Sequence, residues 1–177
     1  MSAEVRTERL LLRRARPEDL EDLHAVLSNA AAMRFWSTPP HASLDETREW
    51  LERLIASPED ESDDFVVEFE GRTIGKAGCW RIPEVGYILH PDFWGRGFAR
   101  EAMEAVIAHA FARFPVEALT ADVHPRNRAS LGLLKRLGFN QTGRAEHTWC
   151  VAGEWSDSVY LALPRPVIRS IDASETP

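Results

Sequence analysis

Apolar residues along this chain follow two rhythms, one of period 3.6 and one of period 2. Their alternation predicts where helices and strands fall. The run "RLLLRRA" at residues 9–15 is short, apolar and flanked by charge, and predicts a first strand. In "PEDLEDLHAVLSN", residues 17–29, Leu20, Leu23 and Leu27 share one face of a predicted helix. Pro17 stands in its first turn, and Glu18 and Asp19 follow where the helix dipole favours negative charge. "STPPH" breaks the chain. "SLDETREWLERLIA", residues 43–56, then predicts a second helix. Ser43 and Glu46 form a capping box, and Leu44, Trp50, Leu51, Leu54 and Ile55 form its apolar stripe.

The period then changes. "PEDESDD", residues 58–64, reads as an acidic surface loop. "FVVEFEGRTIGKAGCW", residues 65–80, predicts two strands turning at Glu70-Gly71, and "EVGYIL", residues 84–89, a further strand. A long helix is predicted over residues 98–114, a strand over "EALTADV", and a helix over "NRASLGLLKRLGF" with Asn127 as N-cap and its end near Gly138. "RAEHTWCV" and "SDSVYLAL" predict a final strand pair around Gly153. This order implies an α/β fold with a mixed sheet. Residues 1–165 read as one domain, and residues 166–177 as a loose C-terminal tail.

Composition narrows the function. The 177 residues are 44% hydrophobic and 28% charged, enough for one sizeable core. The net charge of -7 disfavours nucleic acid as the main partner. No stretch is long enough to span a membrane, and the N-terminus does not read as a signal peptide. Cys79 and Cys150 lack CxxC spacing, so reduced thiols in the cytoplasm are expected. The six histidines form no ligand cluster, so no metal site is expected.

One stretch resists a purely structural reading. "DFWGRGFAREAM", residues 92–103, keeps Gly-Arg-Gly where a strand hands over to a helix. Glycine is a poor helix former. At a helix N-terminus, however, free N–H groups and the dipole favour an anion, and small residues let one approach. Gly95, Gly97 and Ala99 give the space, and Arg96 is expected to give a charge; a diphosphate suits this chemistry. The Gly-Lys-Ser/Thr of a nucleotide P-loop is absent, and so is the third glycine of the dinucleotide fingerprint.

Three segments carry a family resemblance: "EVGYILHPDFWGRGFAREAM", "HPRNRASLGLLKRLGF", and "TERLLLRRARPEDLEDL" followed by "STPPHASLDETREWL". With them the chain resembles the GCN5-related N-acetyltransferases (GNAT), most closely the ribosomal-protein N-terminal (RimJ/RimL-type) branch, from about Thr7 to Leu163. The resemblance implies a mostly antiparallel central sheet, splayed at the cofactor site and flanked by helices. It implies acetyl-CoA as cosubstrate and no metal. Trp94, Gly95, Arg96, Gly97, Phe98 and Ala99 would form the pyrophosphate loop. Backbone groups of Tyr87, Ile88 and Leu89 would receive the pantetheine arm. Asn127 would contact that arm, and Ser130 would face the thioester sulfur as hydrogen-bond donor or acid. Arg126 and Arg128 are candidates for the phosphates.

Acetyl transfer to an amine needs a proton acceptor. Glu84 is the first candidate, Tyr87 a weaker one, and Glu146 a further possibility. Close relatives place an acidic residue near the position where Trp149 stands here. Phe35, Trp36 and Trp149 would wall an acceptor pocket able to hold a cation. The implied acceptor is a primary amine, foremost a protein or peptide N-terminal α-amine. A polyamine or aminoglycoside, and a non-catalytic CoA-binding module, are the alternatives. The enzyme is expected to be a cytoplasmic monomer or homodimer.

Overall fold

The computed structural model describes residues 4–166. Of the expected loose tail, all but Pro166 lies outside the described residues. Twelve regular elements form an eight-stranded sheet with helices on both faces. The first strands are β1 (Val5–Arg6) and β2 (Leu11–Arg13), followed by helices α1 (Leu20–Leu27) and α2 (Leu44–Ala56). Next come β3 (Asp63–Phe69), β4 (Arg72–Arg81) and β5 (Glu84–Leu89). Helix α3 (Phe98–Arg113), β6 (Ala118–Val123), α4 (Arg128–Arg136), β7 (Asn140–Val151) and β8 (Glu154–Pro164) complete the chain. The sheet order is β1-β2-β3-β4-β5-β6-β8-β7. Every neighbouring pair is antiparallel except β5 and β6.

Local chemistry explains most boundaries. Both long hairpins turn through two residues with positive φ, Glu70-Gly71 (51° and 78°) and Ala152-Gly153 (50° and 84°). That geometry matches the twist of paired strands, and glycine takes the second position without strain. At α2, Ser43 accepts the Glu46 N–H at 3.2 Å, while the Glu46 carboxylate reaches back to the Ala42 N–H at 2.8 Å. The capping box therefore closes one residue earlier than its usual form.

Some boundaries differ from the sequence reading. The first strand is shorter than residues 9–15 and gains a two-residue partner in β1. The first helix opens as a 3-10 turn over Pro17–Asp19. Its buried stripe is Leu23, Val26 and Leu27 rather than one headed by Leu20. Ile55 of α2 remains 44% exposed.

The core has two layers, one on each side of the sheet. Phe65 and Val67 of β3 pack with Phe98, Met103 and Val106 of α3. Val66, on the opposite face, packs with Leu23 of α1 and Leu51 of α2. A strand covered on both faces reads as a continuous apolar run, as "FVV" does.

Inside this core, Arg13 donates to Asp19 at 2.7 and 2.9 Å and to Glu68 at 2.7 Å, and Thr73 donates to Asp19 at 2.7 Å. This ties the α1 entry to β2, β3 and β4. Burial pushes the Asp19 carboxyl up, but hydrogen bonds from Arg13, Thr73 and the Arg16 N–H outweigh it and leave it below the ordinary range. A carboxylate so lowered stabilises the fold above the unfolded value of about 3.9, and that contribution is lost as pH falls through the folded value. Asp19→Asn should lower stability by about 3 kcal/mol at neutral pH, because it leaves a buried guanidinium under-paired. Urea unfolding at neutral and acid pH checks this. The variant should lose less stability than the parent on acidification, and parallel pH curves would contradict the assignment.

Candidate active site

The two halves of the sheet meet at a single point. β5 and β6 run parallel and pair only at Glu84 and Thr120. Beyond that pair the strands diverge, while β5 stays paired with β4 and β6 with β8 over their lengths. One edge of β5, from Gly86 to Leu89, is thus left without a strand partner. Backbone groups on such an edge are obligatory donors and acceptors in need of partners. The opening forms a cleft of about 1590 Å³ that runs from the N-termini of α3 and α4 to the loops around α1 and α2.

At one end stands the glycine loop. A 3-10 turn, Pro91–Phe93, leads from β5, and the Trp94 indole N–H donates to the Leu89 carbonyl at 2.9 Å. Gly95 (φ 69°) and Gly97 (φ 82°) both take left-handed conformations. Gly97 is the N-cap of α3, and no side chain caps that helix. The first-turn N–H groups are therefore left for a ligand, with the positive end of the dipole behind them. A Cβ at Gly95 would meet nothing within 4 Å, so the loop is open on its cleft side.

The loop is fastened from behind. Arg9 donates to the Arg96 carbonyl at 3.0 Å and to Glu101 at 2.7 Å, and lies over the Phe98 ring at 4.3 Å. Phe98 is 1% exposed, so its side chain is core. The Arg96 guanidinium lies over Phe98, Phe93 and Phe69 at 4.9, 5.6 and 5.7 Å and is not among the cleft-lining residues. The charge expected of Arg96 thus lies on an aromatic cluster behind the loop, and Arg96 itself does not line the cleft. Arg100, Arg126, Arg128 and Arg136 line the cleft instead. Arg100 and Arg136 were not singled out in the sequence, where helix-face arginines look like ordinary solvated charge.

The middle of the cleft carries the remaining expected residues. Ile88 and Leu89 are 5% and 4% exposed and pack into opposite core layers, so they offer the cleft backbone rather than side chains. Asn127 caps α4 by accepting the Ser130 N–H at 3.1 Å. The Ser130 hydroxyl lies 2.8 Å from the Tyr87 hydroxyl. Burial pushes the Tyr87 phenol up, against weaker opposing effects of the Ser130 hydrogen bond and the Arg136 charge. A phenol so held stays protonated at neutral pH. Either hydroxyl can be the donor in this pair; with Tyr87 donating, the serine's own proton is free for a group in the cleft.

The walls are aromatic. All six tryptophans of the chain, Trp36, Trp50, Trp80, Trp94, Trp149 and Trp155, line the cleft. Phe35 lines it too, tilted against His124 at 5.0 Å. Glu84 lies here with its carboxylate engaged: Trp80 donates to it at 3.2 Å and Arg81 at 3.4 Å. Glu146 is exposed and outside the cleft lining. Trp149 donates its indole N–H to Asp122 at 2.9 Å. Asp122 was not read from the sequence, and nothing local marks it.

Cys79 is buried, and its thiol is pushed up to about 12 by burial and by the charges of Asp63 and Asp64, which makes it a poor nucleophile. Cys150 is exposed and outside the cleft lining. Among the described residues, no group of three His, Cys, Asp or Glu side chains is placed to hold a metal ion. No helix among them is long and apolar enough to cross a membrane.

Comparison with known proteins agrees with this geometry. The acetyltransferase (GNAT) domain family matches residues 9–140. An uncharacterized N-acetyltransferase, p20, of Bacillus licheniformis is 30% identical over 146 residues, 77% of this chain and 82% of its own length. Spermidine N(1)-acetyltransferase of Escherichia coli strain K12 is 25% identical over 161 residues, 86% of this chain and 84% of its own. The Salmonella typhimurium acetyl transferase that modifies the N-terminal serine of ribosomal protein L7/L12 shares the fold, with a TM-score of 0.79 at 18% identity over 93% of this chain and 100% of that one. An uncapped helix behind a glycine loop, opening onto a splayed sheet, suits the diphosphate and extended arm of a coenzyme A ester. The chain belongs to the GNAT acetyltransferase family and is an acetyl-CoA-dependent N-acetyltransferase.

Proposed function

We propose that the acceptor is the N-terminal α-amine of a protein or peptide, and that residues 1–165 act as one catalytic unit. The observation that carries this reading is the cleft's wall: all six tryptophans line it, around a volume of about 1590 Å³. A peptide brings one ammonium and a chain of apolar and polar groups, and broad tryptophan-lined walls with few polar groups at fixed places suit it. An α-amine also loses its proton near pH 8, well below a lysine side chain at about 10.4. Two unpaired cysteines suit a reducing compartment, and the reading places the enzyme in the cytoplasm.

Acetyl-CoA supplies an acetyl group already activated as a thioester. The first turn of α3, with Gly95 and Gly97, receives the diphosphate, and Arg100, Arg126, Arg128 and Arg136 add positive charge along the cleft. The open edge of β5 aligns the pantetheine arm and supplies N–H donors to the carbonyl oxygen as charge develops there. Ser130, with its proton directed outward by Tyr87, donates a hydrogen bond to the departing sulfur.

The experiment that tests the acceptor is CoA-thiol release from acetyl-CoA with two panels of amines. One holds peptides with free α-amines and blocked lysines; the other holds polyamines and aminoglycosides. Turnover confined to the peptides is expected, and turnover confined to the small amines would contradict the reading. Binding of acetyl-CoA without turnover on either panel would support a non-catalytic CoA-binding module instead.

The serine–tyrosine pair has its own test. Ser130→Ala should lower kcat about 100-fold, on the scale of one lost transition-state donor, with acetyl-CoA affinity nearly unchanged. Tyr87→Phe should give a smaller loss in the same direction, and the double variant should be no worse than Ser130→Ala alone. Additive losses would show that the two act separately.

A further inference from the structure

Resting on the amine-acetylation reading above, we propose that Asp122 receives the acceptor amine and takes its proton, in the place the sequence suggested for Glu84. Three observations point to it. First, the two carboxylates differ in what already binds them. Glu84 accepts from Trp80 on one oxygen and from the Arg81 guanidinium on the other. Asp122 accepts only one side-chain donor, the neutral Trp149 indole, and only on Oδ2. Its Oδ1 is uncommitted, and no cation in contact offsets its charge.

Second, the register places Asp122 beside the gap. Glu84 of β5 stands level with Thr120 of β6, at the last point where the strands pair. Two residues further along each strand, on the same face of the sheet, come Gly86 and Asp122. Gly86 carries no side chain, and a Cβ there would meet only Trp80 Cδ1, at 3.6 Å. The space opposite Asp122 is therefore clear for an incoming group, and both residues line the cleft.

Third, the walls suit a cation stripped of water. Trp80 approaches from β4 and Trp149 from β7, and both line the cleft with Asp122. Aromatic faces around one carboxylate hold an ammonium and exclude competing solvent. The other titratable groups near Asp122 are Tyr160, its register partner on β8, Glu84 across the gap and His124 two residues on. The ring of His124 accepts the Arg126 N–H on Nδ1 at 3.0 Å, and burial, with Arg126, holds it below the ordinary histidine range. At neutral pH, then, His124 is uncharged and adds no competing cation.

The proton and electron balance is simple. The ammonium gives one proton to Asp122 Oδ1. The freed lone pair forms the N–C bond to the acetyl carbon, and the C–S bond breaks with its electron pair on sulfur. The second N–H proton leaves for solvent, and the sulfur, hydrogen-bonded by Ser130, takes up a proton in turn. Trp149 touches neither substrate atom in this scheme; it is a positioning residue that holds Oδ2 and turns Oδ1 to the gap.

The test compares Asp122→Asn, Glu84→Gln and Trp149→Phe with the parent, each checked for folding by thermal melting. Asp122→Ser provides a second variant if the asparagine form fails to fold. Acceptor binding is read without chemistry, by tryptophan fluorescence as a peptide free of tryptophan is titrated into the CoA-bound enzyme. Asp122→Asn should weaken acceptor binding roughly tenfold or more and lower kcat/KM about 100-fold, with acetyl-CoA affinity unchanged. Trp149→Phe should lower kcat/KM less and be partly rescued at higher pH. Parent-like binding and turnover in Asp122→Asn, or a larger loss in Glu84→Gln, would overturn the assignment while leaving acetylation intact. A parent enzyme that binds CoA but neither binds nor acetylates any amine would overturn the acetylation reading and this assignment together.

Discussion

Everything functional in this molecule depends on two parallel strands that pair once and then part. β4–β5 and β6–β8 are well-formed antiparallel ladders, so each half of the sheet is hydrogen-bonded on its own side of the seam. Only the Glu84–Thr120 pair joins them. An ordinary sheet would close this seam, because unpaired backbone groups away from water cost free energy. Leaving it open keeps those groups available to a ligand. The helices that follow β5 and β6, α3 and α4, both start at the open end, so their positive ends converge on the same cleft.

Charge is distributed to protect that arrangement rather than to decorate it. Arg9 and Glu101 fasten the glycine loop from outside, Arg96 lies on a phenylalanine cluster, and Arg13 with Asp19 fixes the α1 entry. These groups hold the walls in place. Among the groups left facing the cleft are the Ser130 hydroxyl, the α3 first-turn amides, the open edge of β5 and one oxygen of Asp122.

Much of this was legible in the sequence. The bounds of β5 and the starts of α3 and α4 follow from apolar period, the glycine pair and the Asn127 cap. Each is a local signal, and each was read correctly. The two-residue β1 carries no measurable period, and the early part of β7 is largely exposed, so both escaped. The direction of a side chain is a different matter. "GRG" announces an arginine beside an anion site, yet the three phenylalanines that hold Arg96 elsewhere come from separate parts of the chain. Asp122 and Trp149 are 27 positions apart and meet across β8, so only the folded sheet shows that they are partners.

The most direct measurement of the central claim is amide hydrogen exchange with and without CoA. Slower exchange confined to the β5 edge at residues 86–89 and to the first turn of α3 at residues 97–100 is the predicted result. Unchanged exchange at those amides under saturating CoA, or protection centred elsewhere, would contradict the open seam as the cosubstrate site.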